Sequence, residues 1–349
     1  MRKGYLFFVI LPVLILILAS CGRVPIPEDQ ISDDFIRYMA TAYNSGIGYS
    51  FEDLKTIADD DSYTYDDDVL KYFKYFSGEI TLDSLNITRL NFLRATDTSD
   101  SRVRDYIVSS LENFLNSTSS STFIDQYDEK VPVNSSVLSD FDRLNPNIIT
   151  SYEKRESLVN RIYELLKKDY DSYGLFRINF EDFYPNKELS ESELRLFSGF
   201  VVDIAYTYAN SNLTLQRLKS TSSPDIYHDI IELSHIPVEL LLAVAYQESR
   251  FFPGSYRAEI EDGNIYSLSF GMSHILIDSD NIDISSNYSD IGNGEKESCT
   301  FELISYYYLG NSLNEEDIFT DLDLLMIRGA FLYSAIYLDM IYQKLSSYF

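Results

Sequence analysis

One carboxylate in this chain stands where a carboxylate is costly. The segment "IPVELLLAVAYQES" (236–249) is almost wholly apolar until it reaches Gln247, Glu248 and Ser249. On a helix, at 100° per residue, Glu248 shares a face with Leu241, Val244 and Ala245, which precede it by seven, four and three residues. An aliphatic face and the negative end of the helix dipole both disfavour the charged form. A carboxylic acid that keeps its proton near neutral pH is what a general acid at a glycosidic oxygen requires. Glu239, nine residues earlier, lies half a turn round in the first helical turn. There a solvated negative charge suits the dipole. A second polar group of residues follows in "SFGMSHI" (269–275). Gly271 permits close backbone approach, and His274 brings a hydrogen-bonding ring. A glutamate near a helix end is in most chains a partly exposed surface residue, so the chemistry of Glu248 depends on its neighbours.

The elements that must position these residues read as helices. "DFIRYMATAY" (34–43), "DDVLKYFKYF" (67–76), "VRDYIVSSLENFL" (103–115), "ESLVNRIYELLKKDY" (156–170) and "ESELRLFSGFVVDIAYTYA" (191–209) place apolar residues three and four apart. Ser190 with Glu193 forms a capping-box pattern. Breaks fall at "NSTSSST" (116–122), "NPN" (145–147) and "STSSPD" (220–225), and the last is the expected domain boundary. After it, "DIYHDIIELS" (225–234) reads as a short helix. Pro237 then sits at the first turn of the helix to Ser249, where proline is best tolerated, and "RFFPGS" ends that helix. Residues 255–268 read as a polar stretch, followed past the second motif by an irregular polar region to about 298. Two further helices are expected within 299–309 and 323–345. The expected fold class is all-α: a helical accessory domain over 34–222 and a helical catalytic domain over 223–349.

The chain begins with Arg2 and Lys3, an apolar run from Tyr5 to Leu18, and "LASC" (18–21). A run of about fifteen apolar residues is short for a bilayer span, which needs roughly twenty, and fits a secretory signal. The "LASC" end resembles a bacterial lipobox, which implies a signal peptide over 1–20, a lipidated Cys21 and a linker over 21–33. An uncleaved anchor is the other reading. Both place the chain in the cell envelope, tethered to a membrane and facing the periplasm or exterior. The formal charge is −27 before Arg2 and Lys3 are removed. Such acidity argues against nucleic acid or anionic lipid as partners, but not against a neutral or zwitterionic sugar polymer. Of two cysteines, only Cys299 remains once Cys21 is lipidated, so no internal disulfide forms. With three histidines (His228, His235, His274), no metal site and no cofactor is expected. The chain has 29 Tyr and no Trp. Tyrosines stack on sugars, although the accompanying richness in Asn, Ile, Ser and Asp explains most of them as compositional bias.

"HIPVELLLAVAYQESRFFPGS" (235–255) resembles the first motif of the Slt-type lytic transglycosylases, the goose-lysozyme-like enzymes that cleave peptidoglycan. The resemblance implies Glu248 as the sole catalytic acid/base, with Ser249 beside it. "SFGMSHI" resembles the second motif, S-x-G-L-M-Q-I, and implies that Ser269, Gly271, Met272 and His274 line the sugar cleft, with His274 donating where Gln is usual. "MIRGAFLYSAIYL" (326–338) echoes a third, helical element, with Met326 in place of Asn. The resemblance covers roughly residues 224–349 and implies a lysozyme-like helical domain. In that family the glutamate protonates the bond between N-acetylmuramic acid and N-acetylglucosamine. It then takes the proton of the muramyl C6 hydroxyl as a 1,6-anhydro ring closes, so the second carboxylate of most glycosidases is not needed.

Two departures stand out. The polar insert "RAEIEDGNIY" (257–266) lengthens the spacing between the first two motifs, and the chain ends at Phe349 without the family's A-Y-N-x-G segment. "TAYNSG" (41–46) contains those letters near the other end. Either Tyr43 and Asn44 supply the missing wall as a circular permutation, or the match is incidental in a chain rich in both residues. Three readings of function follow. They are a membrane-anchored lytic transglycosylase, a degenerate lipoprotein that binds peptidoglycan without cleaving it, and a surface lipoprotein that binds another protein.

Overall fold

The computed structural model describes residues 31–85, 103, 105, 152–183, 188–209, 212–218, 226–232, 236–278, 300, 304, 324–325 and 327–349. Cys21, the breaks at 116–122, 145–147 and 220–225, and all of the 103–115 segment except Val103 and Asp105 lie outside the described residues. Eight α-helices are described: α1 (Asp33–Ser45), α2 (Phe51–Ala58), α3 (Tyr65–Ser77), α4 (Tyr152–Asp171), α5 (Leu175–Phe183), α6 (Glu191–Ala209), α7 (Val238–Ser249) and α8 (Ile327–Leu345). The chain is mainly helical, as expected, but two antiparallel sheets join the helices. One pairs β1 (Asn212–Leu218) with β2 (Ile226–Glu232). The other has the order β3 (Tyr256–Glu261), β4 (Asn264–Phe270), β5 (Ile275–Asp278).

These strands correct one expectation and fill in another. Residues 225–234 were expected to be helical, yet β2 runs through them and pairs with β1 from Asn212↔Glu232 to Leu218↔Ile226. In "DIYHDIIELS", the adjacent β-branched Ile230 and Ile231 also suit a strand. Residues 255–268 read only as a polar stretch, with no element assigned, and they form the hairpin β3–β4. Its turn is Asp262-Gly263, both at positive φ (50° and 80°), the pattern of a two-residue hairpin turn. Along β3, Arg257 and Glu259 are exposed while Ala258 is buried, the alternation of a half-buried strand.

Local chemistry places the helix ends. Ser32 accepts from the Phe35 amide at 3.1 Å, with Asp33 and Asp34 in the first turn of α1, and Gly46 leaves that helix at φ 105°. Ser50 and Asp53 form a capping box on α2, and Ser190 and Glu193 form the expected one on α6. α3 opens with Asp66, Asp67 and Asp68 and closes at Gly78 in the left-handed region.

The core is built around α7, which packs against α3, α6 and α8. Tyr72 of α3 meets Tyr246 of α7 edge-to-face at 4.7 Å, and Phe176 of α5 meets Phe197 of α6 and Phe252 at 5.9 Å each. With no Trp in the chain, Tyr and Phe fill the large positions. Every residue of α7 from Val238 to Gln247 is buried. The single apolar stripe expected of this helix is therefore replaced by burial on all faces, because neighbours surround it. Helices from both sides of the expected boundary at residues 222/223 belong to one hydrophobic core, in which Met39, Tyr72 and Val202 join Leu241, Val244 and Phe331.

The end of α7 uses an arginine where glycine is common. Arg250 (φ 58°) and Phe251 (φ 64°) both adopt left-handed backbone, and the Arg250 amide donates to the Tyr246 carbonyl at 2.9 Å. The Arg250 side chain is buried over the rings of Tyr246 and Tyr72.

Candidate active site

Glu248 occupies the last turn of α7 with its side chain 12% exposed, at the wall of a cleft of about 210 Å³. Each carboxylate oxygen has a hydrogen-bond partner from a different element. The Tyr65 phenol, in the first turn of α3, donates to Oε1. His274, in the turn between β4 and β5, places Nδ1 3.1 Å from Oε2. Burial, and then the Glu248 charge, raise the Tyr65 phenol well above the usual tyrosine range. Tyr65 therefore stays protonated and remains a donor throughout the neutral range.

The β4–β5 turn aims His274. Gly271 (φ 78°) and His274 (φ 46°) are both left-handed, and the His274 amide donates to the Gly271 carbonyl at 3.2 Å. The other ring nitrogen, Nε2, lies 2.7 Å from the Ser255 hydroxyl. The sequence reading had His274 donating to a sugar in place of Gln. In the structure both ring nitrogens are instead engaged within the protein, and the ring lies against the acid.

Tyr43 and Asn44, at the end of α1, line the same cleft as Glu248, Ser269 and His274. The Tyr43 hydroxyl donates to the Ser273 carbonyl at 2.9 Å and its ring packs on Tyr337 of α8 at 5.4 Å. Burial, followed by the Glu248 charge, raises the Tyr43 phenol above the normal range, so it too is neutral. Asn44 accepts from Tyr63 at 3.2 Å, and burial pushes the Tyr63 phenol up to about 12. α1 is joined to the start of α3 by Arg37, whose Nε lies 2.8 Å from the fully buried Asp66 next to Tyr65. With Arg37–Asp67 and Asp33–Lys74, this ion pair links the helix bearing Tyr43 to the helix bearing Tyr65.

Three other residues expected to contact substrate do not line the cleft. Ser249 is fully buried, and its hydroxyl donates to the Ala245 carbonyl at 3.0 Å. Met272 is buried in the core. At Gly271 close backbone approach occurs, but toward the protein: an added Cβ would stand 1.8 Å from the Leu324 carbonyl oxygen. Glu239 also differs from its expected solvated state. It is buried beside Lys154 of α4, 3.0 Å away.

Sequence reading passed over Tyr65, Ser255, Arg257 and Glu259. The last two project from β3 into the cleft wall and pair with each other at 2.9 Å, both about half exposed. The Asp-Gly turn between alternating residues was the available signal for that wall. Nothing local marks Tyr65, which reaches Glu248 only because α3 crosses α7. Among the described residues, no group of three or more His, Cys, Asp or Glu side chains stands together to hold a metal ion, and no helix is long and apolar enough to cross a membrane.

Chemically, the arrangement is one carboxyl group held by a phenol and an imidazole at a polar cleft. No protein-family model, curated protein or solved structure matches the chain.

Proposed function

We propose that the chain is a lipid-anchored peptidoglycan lytic transglycosylase of the cell envelope, with a lysozyme-like catalytic portion and Glu248 as general acid and then base. The observation that carries this reading is the setting of Glu248: a mostly buried acid with a hydrogen-bond partner on each oxygen, at a cleft also lined by Tyr43 and Asn44. In the proposed reaction Glu248 gives its proton to the oxygen between N-acetylmuramic acid and N-acetylglucosamine. Its carboxylate next removes the proton from the muramyl C6 hydroxyl, whose oxygen bonds to C1 and closes the anhydro ring. The proton balance returns to its start and no water is consumed. Tyr43 and Asn44 serve as the A-Y-N wall of the cleft, which is the permuted reading of "TAYNSG". Residues 34–222 then contribute a cleft wall through α1 and an acid partner through Tyr65, as well as an accessory body.

The test is the product mixture released from purified peptidoglycan by the lipid-free chain, read by mass spectrometry. Anhydromuropeptides are expected. Reducing-end muropeptides would replace the reading with hydrolysis, for which Glu259 at the same cleft supplies a second carboxylate. A second reading, glycan binding without cleavage, draws support from one fact: both oxygens of Glu248 are already engaged. Retention of the protein on peptidoglycan with no soluble product would select it.

A further inference from the structure

The partners of His274 form a chain that neither motif predicts: Glu248 Oε2, His274 Nδ1 at 3.1 Å, His274 Nε2, then Ser255 Oγ at 2.7 Å. Its members are mostly enclosed, at 12% exposure for the Glu248 side chain, 5% for the His274 side chain and 8% for Ser255. The backbone of Ser255 is held at both ends, its amide donating to Phe252 at 3.2 Å and its carbonyl accepting from Gly271 at 2.8 Å. Only the hydroxyl rotor is left to respond to the ring.

Donor and acceptor counting sets the proton positions. Once Glu248 has given up its proton its carboxylate only accepts, so Nδ1 must then donate to it. A neutral imidazole that donates from Nδ1 accepts at Nε2, so Ser255 must donate to Nε2. The remaining ionisable groups lining the cleft, Tyr43, Arg257, Glu259 and Tyr337, have no hydrogen bond to the His274 ring. We propose that Ser255 and His274 are positioning residues for Glu248: the Ser255 hydroxyl selects the Nδ1–H tautomer of His274, which presents a fixed donor to the carboxylate formed when Glu248 gives up its proton. With Tyr65 on the other oxygen, the new charge meets two donors already aimed at it, and no reorganisation is needed during the step. Their catalytic consequence rests on the lytic transglycosylase reading, but the tautomer assignment does not.

Selective ¹⁵N-histidine labelling tests the tautomer without any activity. The chain has three histidines, and the signal lost in His274→Gln identifies the one of interest. At a pH where Glu248 is ionised, the expected spectrum shows His274 protonated at Nδ1 and bare at Nε2, with the preference lost in Ser255→Ala. A proton on Nε2 in the wild type, alone or beside one on Nδ1, overturns the proposal. The kinetic arm follows anhydromuropeptide release. Ser255→Ala should lower kcat about tenfold, the effect of one net hydrogen bond, with KM and Tm unchanged. Ser255→Thr, which keeps the hydroxyl, should restore the rate. A wild-type rate in Ser255→Ala, or a folded Ser255→Thr as slow as the alanine variant, overturns it. If the wild type releases no anhydro product, the proposed function fails, while the labelling result still decides the tautomer.

Discussion

The two ends of α7 each carry a glutamate, and they are treated in opposite ways. At the first turn, Glu239 pairs with Lys154 at 3.0 Å, against a lysine about half exposed. At the last turn, Glu248 meets a phenol and an imidazole, beside a cleft. A lysine partner brings a fixed positive charge, and that glutamate ties the start of α4 to the start of α7. A phenol and an imidazole instead hold the other glutamate through hydrogen bonds at a cleft, where a substrate can meet it. Burial alone does not separate them, because both side chains are 12% exposed. The partner's chemistry does.

The sharpest way to break the contrast is Glu248→Gln. It keeps the volume and one of the two acceptor oxygens but has no transferable proton. Release of anhydromuropeptides should fall by at least the roughly hundred- to ten-thousand-fold of general acid–base help, since one residue serves both steps, while Tm is unchanged within about a degree. A wild-type product rate in this variant would remove Glu248 from the chemistry.

A third buried acid, Asp169, sharpens the comparison through pH. It sits at the end of α4 and accepts backbone amides at the start of α5, including Arg177 at 3.3 Å. Burial raises its carboxyl to about 6, with those amides and the Arg250 charge pulling the other way. The folded state therefore binds this proton more tightly than the unfolded chain, whose value is 3.8. Its contribution is fully present below about pH 4 and is lost as pH rises through about 6, on the order of 3 kcal/mol in total. Melting curves between pH 4 and 7 on the wild type and Asp169→Asn should differ in slope, with this component absent from the variant. Equal slopes would show that Asp169 does not titrate in that window.

Tyr65→Phe removes one donor from Glu248 and leaves the ring in place. A hydrogen bond to a charged group is worth about 1.5–3 kcal/mol, so kcat should drop roughly ten- to a hundredfold with KM little altered. A loss confined to KM would make Tyr65 a substrate contact and not a partner of the acid. The smallest effect belongs to Glu239→Gln. Its ion pair involves an exposed lysine and should cost no more than about 1 kcal/mol in denaturant unfolding, with activity intact. A loss of activity there would end the distinction between the two ends of α7.

Much of this was legible in the sequence for definite reasons. Helical periodicity and caps located α1, α3, α4, α6, α7 and α8 to within a few residues, because those signals are local. Glu248 stands out because an acid after "LLLAVAYQ" contradicts its surroundings, and "SFGMSHI" and "TAYNSG" mark His274, Tyr43 and Asn44, which line its cleft. The strands were less legible. "DIYHDIIELS" is short enough to satisfy either period, and the Asp-Gly turn of "EIEDGNIY" was outweighed by the polarity of its neighbours.

What the sequence determined by itself was a mainly helical chain with one acid on a greasy helix and a second polar motif twenty-odd residues on. Tertiary structure alone decided what that acid touches. Tyr65 is 183 residues from Glu248 along the chain and Tyr43 is 230 from Ser273. No local pattern encodes a hydrogen bond across such distances. The same holds for Glu239, whose partner Lys154 is carried by α4. Periodicity tells which side of a helix is apolar, but which neighbour faces each side is set by packing among helices remote in sequence. That packing gave one glutamate a lysine and the other a tyrosine and a histidine.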